Sequence, residues 1–535
     1  MDSMVTDMLQ VMALDDSMSL AAKHVYSSLP EPPVSVSAPL AAVACGWTTS
    51  DGVDRITRLP VEILRNIVSR LPAKDAARTS ALSSRWRRLW RSVPLVVADA
   101  HLMPSFGFAF GSGMAGLLAR AVAGTSDVSA AVSSALAAHP GPFRSVHITC
   151  TPMDAHRSEA ALWLQLLAAK GVQELVFVNR ASKLDTDACL PSTLFRCSSL
   201  TCLYTGFFKF PDTATLPRAA AAFPHLRELG LCSMDMSDRD IAFLLDRCPL
   251  LENLEIVGFR GLVRLRIGSH SLRCVEVCAS LVEEIAVEHA AQLERIMLWE
   301  AWGIAGFIDE AGGFTNMCCR LKIGHVPNLR ILGFLVPGMH QLNIGNTIIQ
   351  AGTKASPSTM VPSVRMLGIH VKLFARNEVR MVPAILRCFP NVETLYIESV
   401  SAGKPIGKIG PKFWQETGPI ECLQRHTRKV VFRKFKVQKS ELDFLKFIAE
   451  RGRVLEKIVV VLTHSCSSSL DHMRASLRNF VASARLANED CKLIVCESPF
   501  PVDATAWCFQ GAFNMSKDPF DVSKCFNDGS SCRAA

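Results

Sequence analysis

Two stretches of this 535-residue chain interleave cations with aromatics, a pattern that suits phosphates and stacked bases. One is Arg85-Trp86-Arg87-Arg88-Leu89-Trp90-Arg91; the other is 425–439, with seven Lys or Arg among fifteen residues. In the first, the tryptophans fit a helix core better than a stacking platform. In the second, Val430, Phe432 and Val437 are expected to face inward, while Arg433, Lys434 and Lys436 cover a solvated strand and its edge. Nucleic-acid binding through these segments is therefore the alternative reading, and nucleic acid is not an expected partner. Gly111-Ser-Gly113-x-x-Gly116 matches a dinucleotide fingerprint, but no strand precedes it and no acidic residue follows at ribose distance. The 19 cysteines include no C-x-x-C pair, and neither Cys274 with Cys278 nor Cys318-Cys319 has a histidine at metal-ligand spacing. They are expected as reduced core thiols. No nucleophile, base and orienting acid pair in sequence, so no catalytic residue, cofactor or metal is expected and the chain is not read as an enzyme.

The elements that would hold binding residues follow from composition. Apolar residues make up 49% and charged residues 20%, with mean hydropathy +0.22, too apolar for a mostly disordered chain. The length exceeds one compact core and calls for several domains or a repeat array. The first twenty residues carry four aspartates and no cation, the wrong charge for a signal peptide. The uncharged stretch 101–119 holds a proline and four glycines, which makes a poor spanning helix. A cytoplasmic or nuclear protein without a membrane partner is expected. Of the net charge of +9, residues 53–93 carry +7 and residues 411–535 carry +5, leaving about −3 elsewhere.

The middle of the chain repeats. Five segments share the frame P-x-[L/V]-[R/E]-x-L-x-[I/L/F]: 224–231, 249–256, 327–334, 362–369 and 390–397. Without the proline, 141–148, 170–177, 260–267, 270–277, 280–287, 291–298 and 453–460 join them, and 198–205 and 425–432 fit more loosely. Spacings of 25–29 residues fall in the leucine-rich-repeat range. The L-x-[I/L] alternation predicts a half-buried strand in each. Helical stretches ending in cysteine, 240–248 and 382–388, precede two of them. The four units between 260 and 298 are too short for a helix, so a loop return is expected there. Helix and strand at near-constant period stack into a curved solenoid lined by a parallel sheet; an ordinary α/β domain is the weaker alternative. This pattern resembles the irregular leucine-rich repeats of plant proteins.

Residues 54–94 read as three short helices. Leu59-Pro60 opens the first, Ile63, Leu64, Ile67, Val68 and Leu71 form its apolar stripe, and Pro72 ends it. Asp75 can cap the second; Ser83 or Ser84 can cap the third, which buries Trp86, Leu89 and Trp90. About forty residues rarely stabilise themselves without disulfide, metal or partner, so something else must cover their apolar side.

This segment resembles an F-box: an L-P opening, a second L-P after one helix, then L-S-x-x-W-x-x-L-W. The resemblance implies docking on a Skp-family adaptor, and through it on the cullin of a ubiquitin ligase. Carried over by position, Leu59, Pro60, Ile63, Leu64, Ile67, Leu71, Pro72, Leu82, Trp86 and Trp90 form or support the adaptor face. Near the C-terminus, Trp414, Ile420-Glu421-Cys422-Leu423, Glu441, Phe444-Leu445-Lys446-Phe447 and Val454-Leu455 resemble an FBD domain, in a strand (430–437), helix (441–449), strand (455–462) order. His426-Thr427-Arg428 departs from that family's usual start.

The expected fold is α/β: a flexible leader (1–52), a three-helix F-box (53–94), an Ala/Gly-rich linker (95–140), a leucine-rich-repeat-like solenoid (141–400), an FBD-like end (411–497) and a loose tail (498–535). The resemblance implies a non-catalytic substrate receptor of a Skp–cullin–F-box ligase. An unknown target protein would lie on the concave sheet face and loops of the solenoid.

Overall fold

The computed structural model describes residues 24–34, 55–102, 128–180, 187–212, 223–259, 262–299, 318–399, 411–462, 473, 475–477, 485–497 and 509–521, together with position 22. These residues fall into two compact units that divide after Phe259. Among them, no helix is long and apolar enough to cross a membrane.

The first unit begins with three helices, α1 (Val61–Ser69), α2 (Ala73–Thr79) and α3 (Ser84–Trp90). It continues through β1 (Leu95–Ala98), α4 (Ser129–Ala138), β2 (Phe143–Ile148), α5 (Arg157–Ala169), β3 (Glu174–Val178), β4 (Cys202–Gly206), β5 (Glu228–Cys232), α6 (Asp238–Asp246) and β6 (Asn253–Val257). Strands β1 to β6 pair in chain order, all parallel. The repeat frame explains this register. Leu175, Leu203, Leu229 and Leu254 lie opposite one another across successive strands and are all buried. Each leucine therefore packs on the next about 4.8 Å away, a ladder that only a fixed period can build. Helix α5 turns Trp163, Leu164 and Leu167 into the core, and Ser237 with Asp240 forms a capping box that starts α6.

Two expectations are corrected here. Residues 95–98, assigned to a linker, form β1, a fully buried strand paired with β2. Residues 24–34, assigned to a flexible leader, bury Val25, Tyr26, Ser28 and Val34, and Tyr26 donates to the Thr149 carbonyl at 3.2 Å. Neither segment has an apolar period; a few anchor residues hold them.

The second unit contains β7 (Leu262–Ile267), β8 (Cys274–Cys278), β9 (Val282–His289), β10 (Arg295–Trp299), β11 (Cys319–His325), β12 (Ile331–Leu335), β13 (His340–Ile344), β14 (Thr347–Ile348) and β15 (Met366–Val371). After these come α7 (Arg376–Cys388), β16 (Thr394–Ser399), α8 (Pro411–Glu416), α9 (Glu421–Arg425), β17 (Lys429–Phe435), α10 (Lys439–Arg451), β18 (Lys457–Leu462), β19 (Lys492–Glu497) and α11 (Phe509–Ala512). Its main sheet runs β8-β10-β12-β15-β16-β17-β18-β19, all parallel, and a second sheet runs β14-β13-β11-β9-β7. The loop return expected between 260 and 298 is wrong. Strands β7 and β9 alternate with β8 and β10 between the two sheets, so the returning limb of each turn is itself a strand. A spacing of ten residues leaves no room for a helix but suffices for one strand and a turn. The second sheet continues through β11, β13 and β14, and only after β15 do helices α7 and α10 take over the returning limb. Turn residues pin each repeat to the one before: Asn391 donates to the Pro362 carbonyl at 2.8 Å and Asn328 to that of Ala291 at 2.7 Å.

The tail assignment is also corrected in part. Residues 509–521 are ordered against this unit, with Phe520 completely buried. The Gly111–Gly116 match lies outside the described residues.

Candidate docking site

The three-helix segment builds its own small core. Pro60 and Pro72 immediately precede α1 and α2, and Ser83 precedes α3 in extended conformation without a side-chain cap. Asp75 does not cap; it lies within α2 and pairs with Arg78 at 2.9 Å. Leu64, Val68, Ala73, Ala76, Trp86, Leu89 and Val93 are buried together with β1. Trp86 donates its indole N–H to Thr57 Oγ1 at 3.3 Å, and Arg85 donates to the Leu59 carbonyl at 2.8 Å and to that of Thr57. Lys74 reaches the Leu102 carbonyl at 3.2 Å, and Pro72 bridges to Val96. Trp90 meets the His139 ring edge-on at 4.8 Å. Burial pushes the His139 imidazole down from its usual range. Fully buried Asp99 accepts from the Thr149 and Cys150 amides at 3.0 and 2.7 Å and from Thr151 Oγ1 at 3.1 Å. Burial raises its carboxyl despite these donors. The cover that the size argument requires thus comes partly from β1 and from His139, the residue that follows α4.

The ten residues expected on the adaptor face divide. Leu64 and Trp86 are interior, 0% and 5% exposed, and present nothing to a partner. Leu59, Leu71, Pro72 and Trp90 are half-buried. Pro60, Ile63, Ile67 and Leu82 are exposed, with Ile63 at 48%, Ile67 at 37% and Leu82 at 67%. The single stripe read from the sequence is really two. At 100° per residue, Leu64 and Val68 point into the core, whereas Ile63 and Ile67, one turn apart, point out. Arg58, Glu62, Arg65 and Arg70 surround the outward pair as exposed charges. Four unpaired apolar side chains on so short a segment make a surface suited to a protein partner rather than to chemistry.

The second basic stretch is largely consumed internally. Strand β17 lies between β16 and β18, so it is not an edge. Lys434, 19% exposed at its side chain, pairs with buried Glu398. Burial opposes ionisation of Glu398, yet Lys434, with His370 and Arg433, holds its carboxyl below the usual range. Arg433 donates to the Phe520 carbonyl, whereas Arg428 and Glu456 pair at 3.6 Å with both side chains mostly exposed. Arg433 and Lys434 therefore do not belong to the solvated strand face expected from the sequence.

Nine of the fourteen described cysteines are buried. Burial pushes the thiols of Cys197, Cys248, Cys388 and Cys422 up to about 12. Among the described residues, no three His, Cys, Asp or Glu side chains gather as a metal site.

The sheet surface opposite the leucine ladders, expected as an open target surface, is covered in each unit by the chain itself. In the first unit, Tyr204 on β4 donates to Glu228 at 2.8 Å and to Glu255 at 3.3 Å. Ser28 lies 3.8 Å from Cys232 Sγ. Burial pushes the Glu255 carboxyl up to about 8, against the hydrogen bonds from Ser28 and Tyr204. In the second unit, residues 509–521 lie on the corresponding positions of β8, β10, β12, β16 and β17.

Comparison with known families finds three matches in chain order. Residues 56–97 match the F-box domain, residues 160–397 match the family described as FBD-associated F-box protein At5g56370, LRR repeats, and residues 415–460 match FBD. Relatives from Arabidopsis thaliana include F-box/FBD/LRR-repeat protein At1g13570, 32% identical over 39% of this chain, and F-box/LRR-repeat protein At3g26922, 30% identical over 39%. The matched region spans 45% and 60% of those two proteins. FBD-associated F-box protein At3g52670 is 27% identical over 82% of this chain and 97% of its own length.

Proposed function

We propose, from the F-box, leucine-rich-repeat and FBD matches that follow one another along this chain, that it is a substrate receptor of a Skp–cullin–F-box ubiquitin ligase. The F-box holds a Skp-family adaptor, the adaptor holds the cullin, and the repeat region holds a target protein. Ubiquitin transfer belongs to other subunits, and this chain contributes recognition alone. The observation that carries the reading is the exposed set Ile63, Ile67 and Leu82 on a segment whose core is already closed by Leu64, Val68, Trp86 and Leu89. Burying a large aliphatic side chain in a partner is worth roughly 1.5–3 kcal/mol, so three such residues supply a useful share of a specific interface.

Pull-down of the full chain from cells with degradation blocked tests this. Wild type should bring down the adaptor, the cullin and a target. The Ile63→Asp/Ile67→Asp variant should lose adaptor and cullin together while keeping the target. Retention of the adaptor by that variant would refute the reading.

A further inference from the structure

The surface that residues 509–521 cover has the construction of a peptide site. Alternate residues of parallel strands share one face. In the main sheet of the second unit, that face presents Cys274 on β8, Arg295 on β10, Gly333 on β12, Gly368 on β15, Tyr396 on β16, and Lys429 and Arg433 on β17. Arg295, 3% exposed, donates to two carbonyls of the segment, Ala512 at 2.6 Å and Lys517 at 2.9 Å. Arg433 donates to a third, that of Phe520. Tyr396 donates to the Asp518 carboxylate at 2.7 Å, and Lys429 lies 3.4 Å from the same tyrosine hydroxyl.

Phe520 fills the centre. Its ring meets Phe334 edge-on at 5.0 Å and Tyr396 at 5.0 Å. Gly333 makes room for it: a Cβ there would lie 3.1 Å from the ring and 2.8 Å from the Gly368 backbone. Two arginines reading main-chain carbonyls, a phenol reading a carboxylate and an aromatic slot two residues further on together define a ligand chemistry. The segment's charge also suits the face: with Asp518 and Asp521 against Lys517 it carries one net negative charge, and the face presents Arg295, Lys429 and Arg433.

We propose that this face is a peptide-binding groove for target segments with a carboxylate two residues before a phenylalanine, and that residues 509–521 occupy it in cis. This deepens the receptor reading above and rests on it, since it names the chemistry of the target. Arginines that bind carbonyls accept any main chain, so affinity is general; the Asp-x-Phe spacing supplies specificity. A tethered occupant acts at an effective concentration of about millimolar, so an incoming segment must outcompete it.

The test uses the full chain and a fluorescent peptide with the sequence of residues 509–521. Wild type should bind it weakly. Phe520→Ala empties the slot in cis and should bind the peptide at least ~10-fold more tightly. Asp518→Ala, which removes the Tyr396 bond and the carboxylate that accepts from the Phe520 amide at 3.0 Å, should gain ~3-fold or more, and it decides the matter if Phe520→Ala no longer unfolds cooperatively. A peptide carrying alanine at both positions should not compete. Equal peptide binding by wild type and variants, equal binding of the doubly substituted peptide, or loss of cooperative unfolding in both variants would overturn the groove. Adaptor affinity is measured on the same preparations. If it stands while the peptide results fail, only the groove falls; if it is lost while peptide binding behaves as stated, the ligase assignment falls and the groove remains.

Discussion

The three-helix segment and the sheet face of the second unit draw on the same residue types and resolve them in opposite ways. Both collect arginines, aromatics and large aliphatics. In the helices, Trp86 and Leu64 close a core while Ile63, Ile67 and Leu82 stay in solvent. On the sheet face, the chain supplies its own Phe520, and arginines 295 and 433 are taken up by its carbonyls. Residue type alone therefore does not tell the two apart. What sets the helices apart is apolar side chain left uncovered after the chain has finished packing on itself, whereas the sheet face is already occupied in cis.

The sharpest way to break this contrast is to truncate the interior side of the helices. Trp86→Ala should cost about 3–5 kcal/mol and Leu64→Ala about 2–5 kcal/mol. That is comparable with the stability of a small domain. Hydrogen exchange should then show loss of protection across α1 to α3, and lost adaptor binding would follow as a consequence of unfolding. Protection unchanged by Trp86→Ala would mean that the interior assignment is wrong.

The buried ion pair comes next. Lys434→Ala leaves Glu398, 2% exposed at its side chain, without its main partner. Removing one member of a buried pair costs about 3 kcal/mol. The denaturant midpoint of the second unit should fall clearly, whereas a solvated lysine would leave it in place.

Glu255 gives a pH dependence whose sign follows from its raised carboxyl. The unfolded chain loses this proton near its ordinary value of 4.5, but the folded first unit keeps it up to about 8. Between those limits the unfolded state binds fewer protons, so this group's contribution to stability is full below 4.5 and declines as pH rises toward 8. Melting of wild type and Glu255→Gln across that window should show the decline in wild type and a flatter profile in the variant. Parallel profiles would remove Glu255 as its source.

The smallest effect belongs to the rim. Arg425 and Glu421 form an exposed pair at 3.1 Å, and Arg425→Ala should change stability by only about 0.2–0.5 kcal/mol in thermal unfolding.

Much of this was legible in the chain. All fourteen L-x-[I/L] units became strands, because a ladder of stacked leucines needs a fixed period and the period is visible. The limb between units was harder to read. Leu262–Ile267 and Val282–His289 carry the same alternation as their neighbours, and only the spacing of ten residues hinted that they belong to another sheet. Residues 24–34 and 509–521 had no signal at all, since the residues that anchor them, Tyr26 and Phe520 among them, follow no period and bind in sites built by distant strands. In the helices, the sequence showed which residues are apolar but not which way each one points. Leu64 beside Ile63 looks equivalent on a list, yet 100° of rotation separates interior from surface.

The central claim is that the exposed residues, and not the buried ones, hold the adaptor. It is tested by titrating purified adaptor against the full chain carrying Ile63→Ala, Ile67→Ala and Leu82→Ala together, with thermal unfolding recorded on the same samples. Interface anchors cost about 2 kcal/mol or more each, so affinity should fall ~100-fold or more. Stability should fall far less than in Trp86→Ala, because Ile63, Ile67 and Leu82 keep 48%, 37% and 67% of their surface in water. Unchanged affinity in the triple variant would contradict the account.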